Sequence, residues 1–488
     1  MKILLVEPPY ERFAGFRCEW YPMGLASIAA ACRARGHAVA VYHAEHDPQA
    51  QYASIVKFSE QFNRYKQALE TDAHPVWQEV SGVIAAFKPD VLGISIMTPK
   101  VPSALKIAAL ARRIAPGLVV VAGGQHPTLL ADQILGAAEI DFAVRGEGEE
   151  TFSELLTALA GNAKNFGAIA GLSYKSAGRI VHNAQRGLIG DLDALPMAAR
   201  DALLDLATYT PVQLNMVMGS RGCPYRCGFC SSQNMWTRRV RYRSVANLMG
   251  EIRHIRRQHG VQNVTFMDDS FTVNKERVKA LCAALREEAR GLTWSCLTRV
   301  DMVSDEIIRL MKKAGCTKID IGIESGNPRV LGLIRKDITL EQIRQAVGIL
   351  RRNGMFWSGF FMFGFPTETE QEVRDTVRFM REVRPDWANI SIFTPYPGTP
   401  LFDLAREKGM IPEHPDYALY SHQSPASRGT DTIPPQRFSA LSREILQSVH
   451  AYNSSPRVLL KRALTRGYAK NPGLFLLDAR KVFSWLKK

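Results

Sequence analysis

Short, nearly continuous apolar runs alternate with helical stretches along most of this chain, in two separate blocks. Strands apolar on both faces belong in a parallel sheet with helices on each side. In the first block the expected strands are residues 2–6, 38–42, 91–95 and 118–122, with a short fifth at 141–145. Helices are expected at 23–35, closed by Gly36, and at 103–114, with a long polar stretch of helical pattern over 51–87. This predicts an α/β doubly wound parallel sheet over residues 1–150. In the second block the alternation repeats six times, with strands at 213–218, 263–267, 293–297, 318–323, 356–363 and 388–393. The helices between them start near Ser244, Lys275, Ser304, Thr339 and Thr369. Ser304 and Thr339 stand just before acidic residues, as helix N-caps do. Six such units predict a partial (β/α)6 barrel over 211–434, after a connector at 151–210 and before a small helical region at 435–488.

Ligands of parallel sheets bind beyond the carboxyl ends of the strands. In the first block those ends carry Pro8-Pro9, Thr98-Pro99, Gly123-Gly-Gln-His-Pro-Thr128 and Gly146-Glu-Gly-Glu-Glu150. Paired glycines let a backbone approach a bulky ligand, so four such loops in register predict a nucleotide-sized ligand. Simple chain reversal is the alternative reading of the same residues. In the second block the ends carry Asp268-Asp-Ser-Phe-Thr272, Arg299, Glu324-Ser-Gly326, Gly364-Phe-Pro-Thr-Glu368 and Thr394-Pro-Tyr-Pro-Gly-Thr-Pro400.

The first strand of the second block runs into a loop holding Cys223, Cys227 and Cys230. A Cys-x3-Cys-x2-Cys spacing brings three soft ligands together with no fourth cysteine before Cys282. Three thiolates suit a cubane iron–sulfur cluster with one iron left open. A structural zinc site wants four ligands, and His254 or His259 could complete one.

The composition is that of an ordinary globular protein, 46% hydrophobic and 22% charged, with no apolar run long enough to cross a membrane. Eight cysteines without regular pairing point to a reducing, cytoplasmic setting. The net charge of +15 is concentrated at 238–243, at 253–257 and after Ser455. Nucleic acid, an anionic cofactor, an anionic membrane or plain solvent could each meet such charge.

In order along the chain, several motifs resemble those of radical S-adenosylmethionine (SAM) enzymes of the cobalamin-binding class. They are Tyr21-Pro-Met-Gly-Leu25, the Gly-Gly-x-His-Pro-Thr loop, the three-cysteine loop with Phe229 before its last cysteine, Phe266-Met-Asp-Asp269, Gly322-Ile-Glu-Ser-Gly326 and Tyr396-Pro-Gly-Thr-Pro400. The resemblance covers residues 1 to about 400. It implies a [4Fe-4S] cluster on Cys223, Cys227 and Cys230, with SAM on the open iron. For SAM it implies contacts from Phe229, Asp269 (with Asp268 as competitor), Arg299, Glu324, Ser325 and Arg335. For cobalamin it implies Pro8, Tyr21, Gly24, Thr98, Gly123, Gly124, His126, Thr128 and Glu147. The cobalt-ligating histidine of cobalamin mutases has no counterpart in Glu7-Pro-Pro-Tyr-Glu-Arg, which resembles other radical SAM members. Cys18 is a further thiol that could face the corrin.

The implied reaction is methyl transfer to an unactivated carbon of a small-molecule or lipid-like substrate. It releases S-adenosylhomocysteine and draws electrons from a donor such as flavodoxin or ferredoxin. Non-methylating cyclisation, oxidation or rearrangement is the alternative. An RNA-modifying enzyme would carry an RNA-binding appendage and further cluster cysteines. Cys282, Cys296 and Cys316 read instead as buried thiols, so no nucleic acid partner is expected. The basic, apolar tail suits either a cap on the barrel or peripheral contact with an anionic membrane.

Overall fold

The computed structural model describes residues 1–50, 63–163, 165–422 and 430–465. Residues 51–62 of the expected helical stretch, and the tail beyond 465, lie outside them. The first block forms a sheet from β1 (Lys2–Glu7), β2 (Ala38–His43), β3 (Val91–Ser95), β4 (Val119–Gly123) and β5 (Phe142–Val144). These five pair in parallel, in the order β2-β1-β3-β4-β5. Ile3, Leu4, Leu5 and Val6 are at most 2% exposed, which explains why the run does not alternate. Helices Met23–Arg33 and Gly148–Ala160 cover one face; Pro75–Phe87 and Val101–Ile114 cover the other.

The connector contributes more than a link. Its strands β6 (Leu172–Ser176) and β7 (Arg179–His182) form an antiparallel hairpin that extends the first sheet beyond β5. Short, half-polar strands at a sheet edge carry too little apolar signal to announce that attachment.

In the second block β8 (Met216–Val217) is much shorter than the apolar run suggests. The chain leaves the sheet early to form a two-stranded ribbon from β9 (Ser220–Arg221) and β10 (Arg241–Tyr242). The remaining strands are β11 (Asn263–Phe266), β12 (Thr293–Arg299), β13 (Cys316–Glu324), β14 (Phe356–Phe363) and β15 (Trp387–Ile392). Together with β8 they form an all-parallel open barrel in which each strand neighbours the next. Thr339 and Thr369 make full capping boxes with Gln342 and Glu372. Ser304 has the extended backbone of an N-cap, but its side chain makes no capping bond.

Helix Pro435–Asn453 seals the barrel, placing Phe438, Leu441, Ile445 and Val449 in the same core as the strands. The Asn453 amide pairs with the Ala388 N–H and carbonyl at 3.0 and 2.8 Å, satisfying the outer edge of β15. Residues 435–453 therefore cap the barrel, whereas the basic segment ending in Trp485, to which the two readings of the tail apply, lies outside the described residues. No helix among the described residues is long and apolar enough to cross a membrane.

Candidate active site

The cysteine loop is anchored before it begins. Asp268, 2% exposed beyond β11, accepts from the Gly219 N–H and the Ser220 hydroxyl, each at 2.7 Å. At Gly222, φ is +106°, and a Cβ would sit 2.3 Å from the Arg239 carbonyl oxygen, so only glycine lets the ribbon close. Beyond that point the Gly228 N–H donates to Ile334 O at 2.8 Å, and Leu401 N–H donates to Gly228 O at 3.0 Å. Cys223, Cys227 and Cys230 are free, partly exposed thiols in this frame. Burial pushes the Cys230 thiol up to about 11 and raises Cys223 as well, so a cation must draw off the protons for thiolate ligation.

The donor set fits a cubane, which asks each cysteine for one iron. Among the described residues no three Cys, His, Asp or Glu side chains gather around a single ion position. His254 and His259 lie in the last turns of helix Val245–His259, which leads into the start of β11 at the opposite end of the barrel. The alternative zinc set is not assembled.

Around the loop, Asp269 and Asp268 separate cleanly. Asp268 is committed to the loop backbone. Asp269 is open to the barrel mouth and, among the described residues, accepts only from Ser232 Oγ at 2.6 Å. Glu324, at φ +68° on the end of β13, pairs with Lys336 at 2.6 Å, both nearly buried. The Lys336 ammonium also lies 5.9 Å over the Phe229 ring. Ser325 is fully buried against Thr376 Oγ1 at 3.0 Å. Arg299 reaches the cysteine loop, with Nη1 3.6 Å from Cys227 Sγ. Arg335 stays on the surface at φ +51°, and the structure buries its neighbour Lys336 in its place. The Arg-Lys pair was visible in sequence, but which of the two turns inward depends on that left-handed backbone.

A cavity of about 250 Å³ lies between the first sheet and helices Met23–Arg33 and Gly148–Ala160. Gly24, Gly93, Gly123, Gly124 and Glu147 line it, and Arg221 of the ribbon and Trp236 of the short helix Ser232–Trp236 that follows the cysteines reach it from the barrel side. A Cβ on Gly24 would meet nothing within 4 Å, so its absence leaves the space open. This glycine-walled cleft beyond the strand ends fits the nucleotide tail of cobalamin.

The other expected cobalamin residues do not line this cavity. Thr128 Oγ1 donates to Gly124 O at 2.7 Å and accepts the Gly146 N–H at 2.9 Å, tying two glycine loops together. His126 is fully buried between Thr98 at 3.2 Å and Gln133 at 3.1 Å, and burial lowers its pKa to about 4. Tyr21 is buried under Arg200, its hydroxyl donating to Met216 O at 3.2 Å, and Pro8 is buried too. Cys18 is 1% exposed and donates to Trp20 O at 3.3 Å. A single sequence cannot separate a side chain facing a cavity from one bracing the loop behind it.

Sequence reasoning missed the junction between the blocks. Glu147 accepts from Arg221 at 2.6 Å and Arg241 at 2.7 Å, and Glu149 accepts from Arg221 at 2.5 Å. Burial alone would raise the Glu149 carboxyl, but Arg221 outweighs it and holds the group below its usual value. The basic run at 238–243 is thus partly spent inside the protein.

The comparisons with known proteins divide the chain in the same way. The B12 binding domain family matches residues 13–156, and the radical SAM superfamily matches residues 217–380. A protein named as a methyltransferase in Pyrococcus horikoshii is 34% identical over 84% of this chain and 84% of its own. The anaerobic magnesium-protoporphyrin IX monomethyl ester cyclase of Rubrivivax gelatinosus is 28% identical, covering 87% of this chain and 73% of the cyclase. The solved structure of the radical SAM methyltransferase TsrM from Kitasatospora setae superposes with a TM-score of 0.69 over 99% of each chain. At 17% identity that is a likeness of fold. Two matched families in this order, and a relative 34% identical over 84% of both chains, establish that the chain belongs to the cobalamin-binding radical SAM enzymes, whose cofactors are a [4Fe-4S] cluster, S-adenosylmethionine and cobalamin.

Proposed function

We propose that this enzyme methylates an unactivated carbon of a small-molecule or lipid-like substrate. The observation that carries the reading is the shared cavity: residues of the glycine-rich strand ends and of the cysteine ribbon line one space. When bound, the cluster and SAM supply a radical that removes a hydrogen atom, and cobalamin supplies the methyl group.

The chain's own residues have separable tasks. Cys223, Cys227 and Cys230 hold the cluster. Asp269, the open carboxylate at the barrel mouth, holds the SAM ammonium. The Glu324–Lys336 pair and Phe229 shape the wall beside it, and the cleft at Gly24, Gly93 and Gly123 takes the cobalamin tail. Met97 and Met267 lie just past β3 and β11 and are 47% and 43% exposed, which supports a substrate with an apolar surface.

Flavodoxin or ferredoxin as electron donor and a cytoplasmic location belong to the same proposal. So does peripheral membrane contact through the basic amphipathic segment at 474–488, supported by its sequence pattern. The experiment is anaerobic turnover of reconstituted enzyme with candidate apolar substrates, counting S-adenosylhomocysteine against 5′-deoxyadenosine. Methyl transfer yields both. The second reading, radical cyclisation, is favoured by the likeness to the protoporphyrin ester cyclase and yields no S-adenosylhomocysteine.

A further inference from the structure

Arg299 ends β12 with its guanidinium side chain only 6% exposed. Nε donates to Asp301 Oδ1 at 2.9 Å, and Nη2 donates to Lys336 O at 2.7 Å and to Asp301 Oδ2 at 3.3 Å. The Tyr225 ring stacks on the guanidinium at 3.7 Å. These contacts fix the plane of the fork and leave Nη1 directed at Cys227 Sγ, 3.6 Å away. A side chain held this way has little freedom to swing out and grip a carboxylate.

We propose that Arg299 is a positioning residue that sets the reduction potential of the cluster through Cys227 Sγ, and does not bind the SAM carboxylate. The inference rests on the reading that the three cysteines hold a cubane. One electron from an external low-potential reductant enters the cluster, and no bond is made or broken in that step. The reduced cluster carries one more negative charge, so an N–H donor and fixed cation on a ligating sulfur favour it and raise the potential. Asp301 offsets part of the charge from the far side, but the directional N–H reaches only the sulfur.

The test uses the full-length enzyme reconstituted anaerobically, with iron and sulfide counted first. A reductive titration followed by electron paramagnetic resonance then gives the midpoint potential. In R299Q the midpoint becomes more negative, so that at the wild-type midpoint the ratio of reduced to oxidised cluster falls about tenfold, roughly 59 mV for one electron. In R299K the charge stays but the fork is lost, and the shift is smaller with the same sign. SAM affinity, measured by equilibrium dialysis, stays within about twofold of wild type, well under the tenfold that 1.4 kcal/mol represents. A midpoint unchanged in iron-replete R299Q overturns the inference. So does a large loss of SAM affinity without a shift, which returns Arg299 to the carboxylate. Should R299Q fail to hold iron, R299K and Y225L decide: both shift negative if the inference holds, and an unmoved midpoint in both overturns it. Wild-type protein that takes up no iron sinks the three-cysteine reading itself, an outcome distinct from all of these.

Discussion

Glu147 of the cobalamin-binding half accepts from Arg221 of the cysteine ribbon at 2.6 Å, the two side chains being 2% and 11% exposed. The same carboxylate takes Arg241 at 2.7 Å and the Ile189 N–H at 2.8 Å. The loop that closes β5 is therefore the seat of the ribbon from which the three cysteines depart. The two cofactor regions are fixed to each other by charge, at a place where the cavity passes between them.

Removing one partner of a buried pair strands the other, which costs far more than the pair contributes. In E147Q the buried Arg241 loses its counter-charge, while Arg221 keeps only Glu149. The expected loss of stability is about 3 kcal/mol or more, read as a lowered unfolding midpoint in denaturant. Iron and corrinoid retention should fall together. A wild-type midpoint in E147Q would show that the junction is held elsewhere.

Adjacent aspartates should behave oppositely. D268A leaves the Gly219 N–H and Ser220 hydroxyl without their acceptor, so the loop loosens and iron content drops. D269N leaves those bonds intact and should keep its iron, while SAM binding weakens about tenfold or more, since a charged hydrogen bond contributes about 1.5–3 kcal/mol. Iron analysis and equilibrium dialysis on the two variants separate the roles. Equal iron loss in both would deny Asp269 a role in SAM binding.

Most of this architecture was legible in sequence because parallel strands are apolar on both faces and their boundaries are punctuated. The strand at Phe356–Phe363 and the capping boxes at Thr339 and Thr369 follow directly from local pattern. The ribbon was not legible: Ser220–Arg221 and Arg241–Tyr242 are polar, two residues long and twenty residues apart in the chain. Gly24, Gly123 and Gly124, expected in the ligand loops, do line the cavity. Thr98 and His126 do not, because they bond to each other and His126 turns its ring to Gln133 and Tyr417. Roles that depend on pairing across the two blocks, as for Glu147 with Arg221, have no local signature at all.

Glu368 was expected at the open end of the barrel, yet it is fully buried. One carboxylate oxygen accepts the Gly364 and Phe365 N–H groups, and the other has no partner among the described residues. Burial pushes its pKa from 4.5 to about 8. Between those values the unfolded chain releases this proton while the folded protein keeps it, so stability falls as pH rises. The slope is at most about 1.4 kcal/mol per pH unit for a single group, and the effect ends above pH 8. E368Q cannot titrate, so its denaturation midpoint should fall less steeply between pH 5 and pH 8. Parallel profiles for the two proteins would rule the carboxyl out as the source.

Filling the glycine cleft tests the cobalamin site without touching the cluster. Gly24 lies near the start of helix Met23–Arg33, where leucine is a better helix former than glycine. A Cβ there would meet nothing within 4 Å and Gly24 lines the cavity, so G24L adds bulk at the cavity wall without a backbone clash. The variant should therefore fold as well as wild type or slightly better, hold its full iron, and reduce normally. Its corrinoid content after reconstitution should drop about tenfold or more, the scale of a ligand contact worth 1.4 kcal/mol. S-adenosylhomocysteine release should fall with it, because methyl transfer needs the corrinoid, while uncoupled 5′-deoxyadenosine formation needs only the cluster and SAM. Full corrinoid binding by G24L would place the nucleotide tail outside this cleft and send the search to the loops at Pro8 and Thr98.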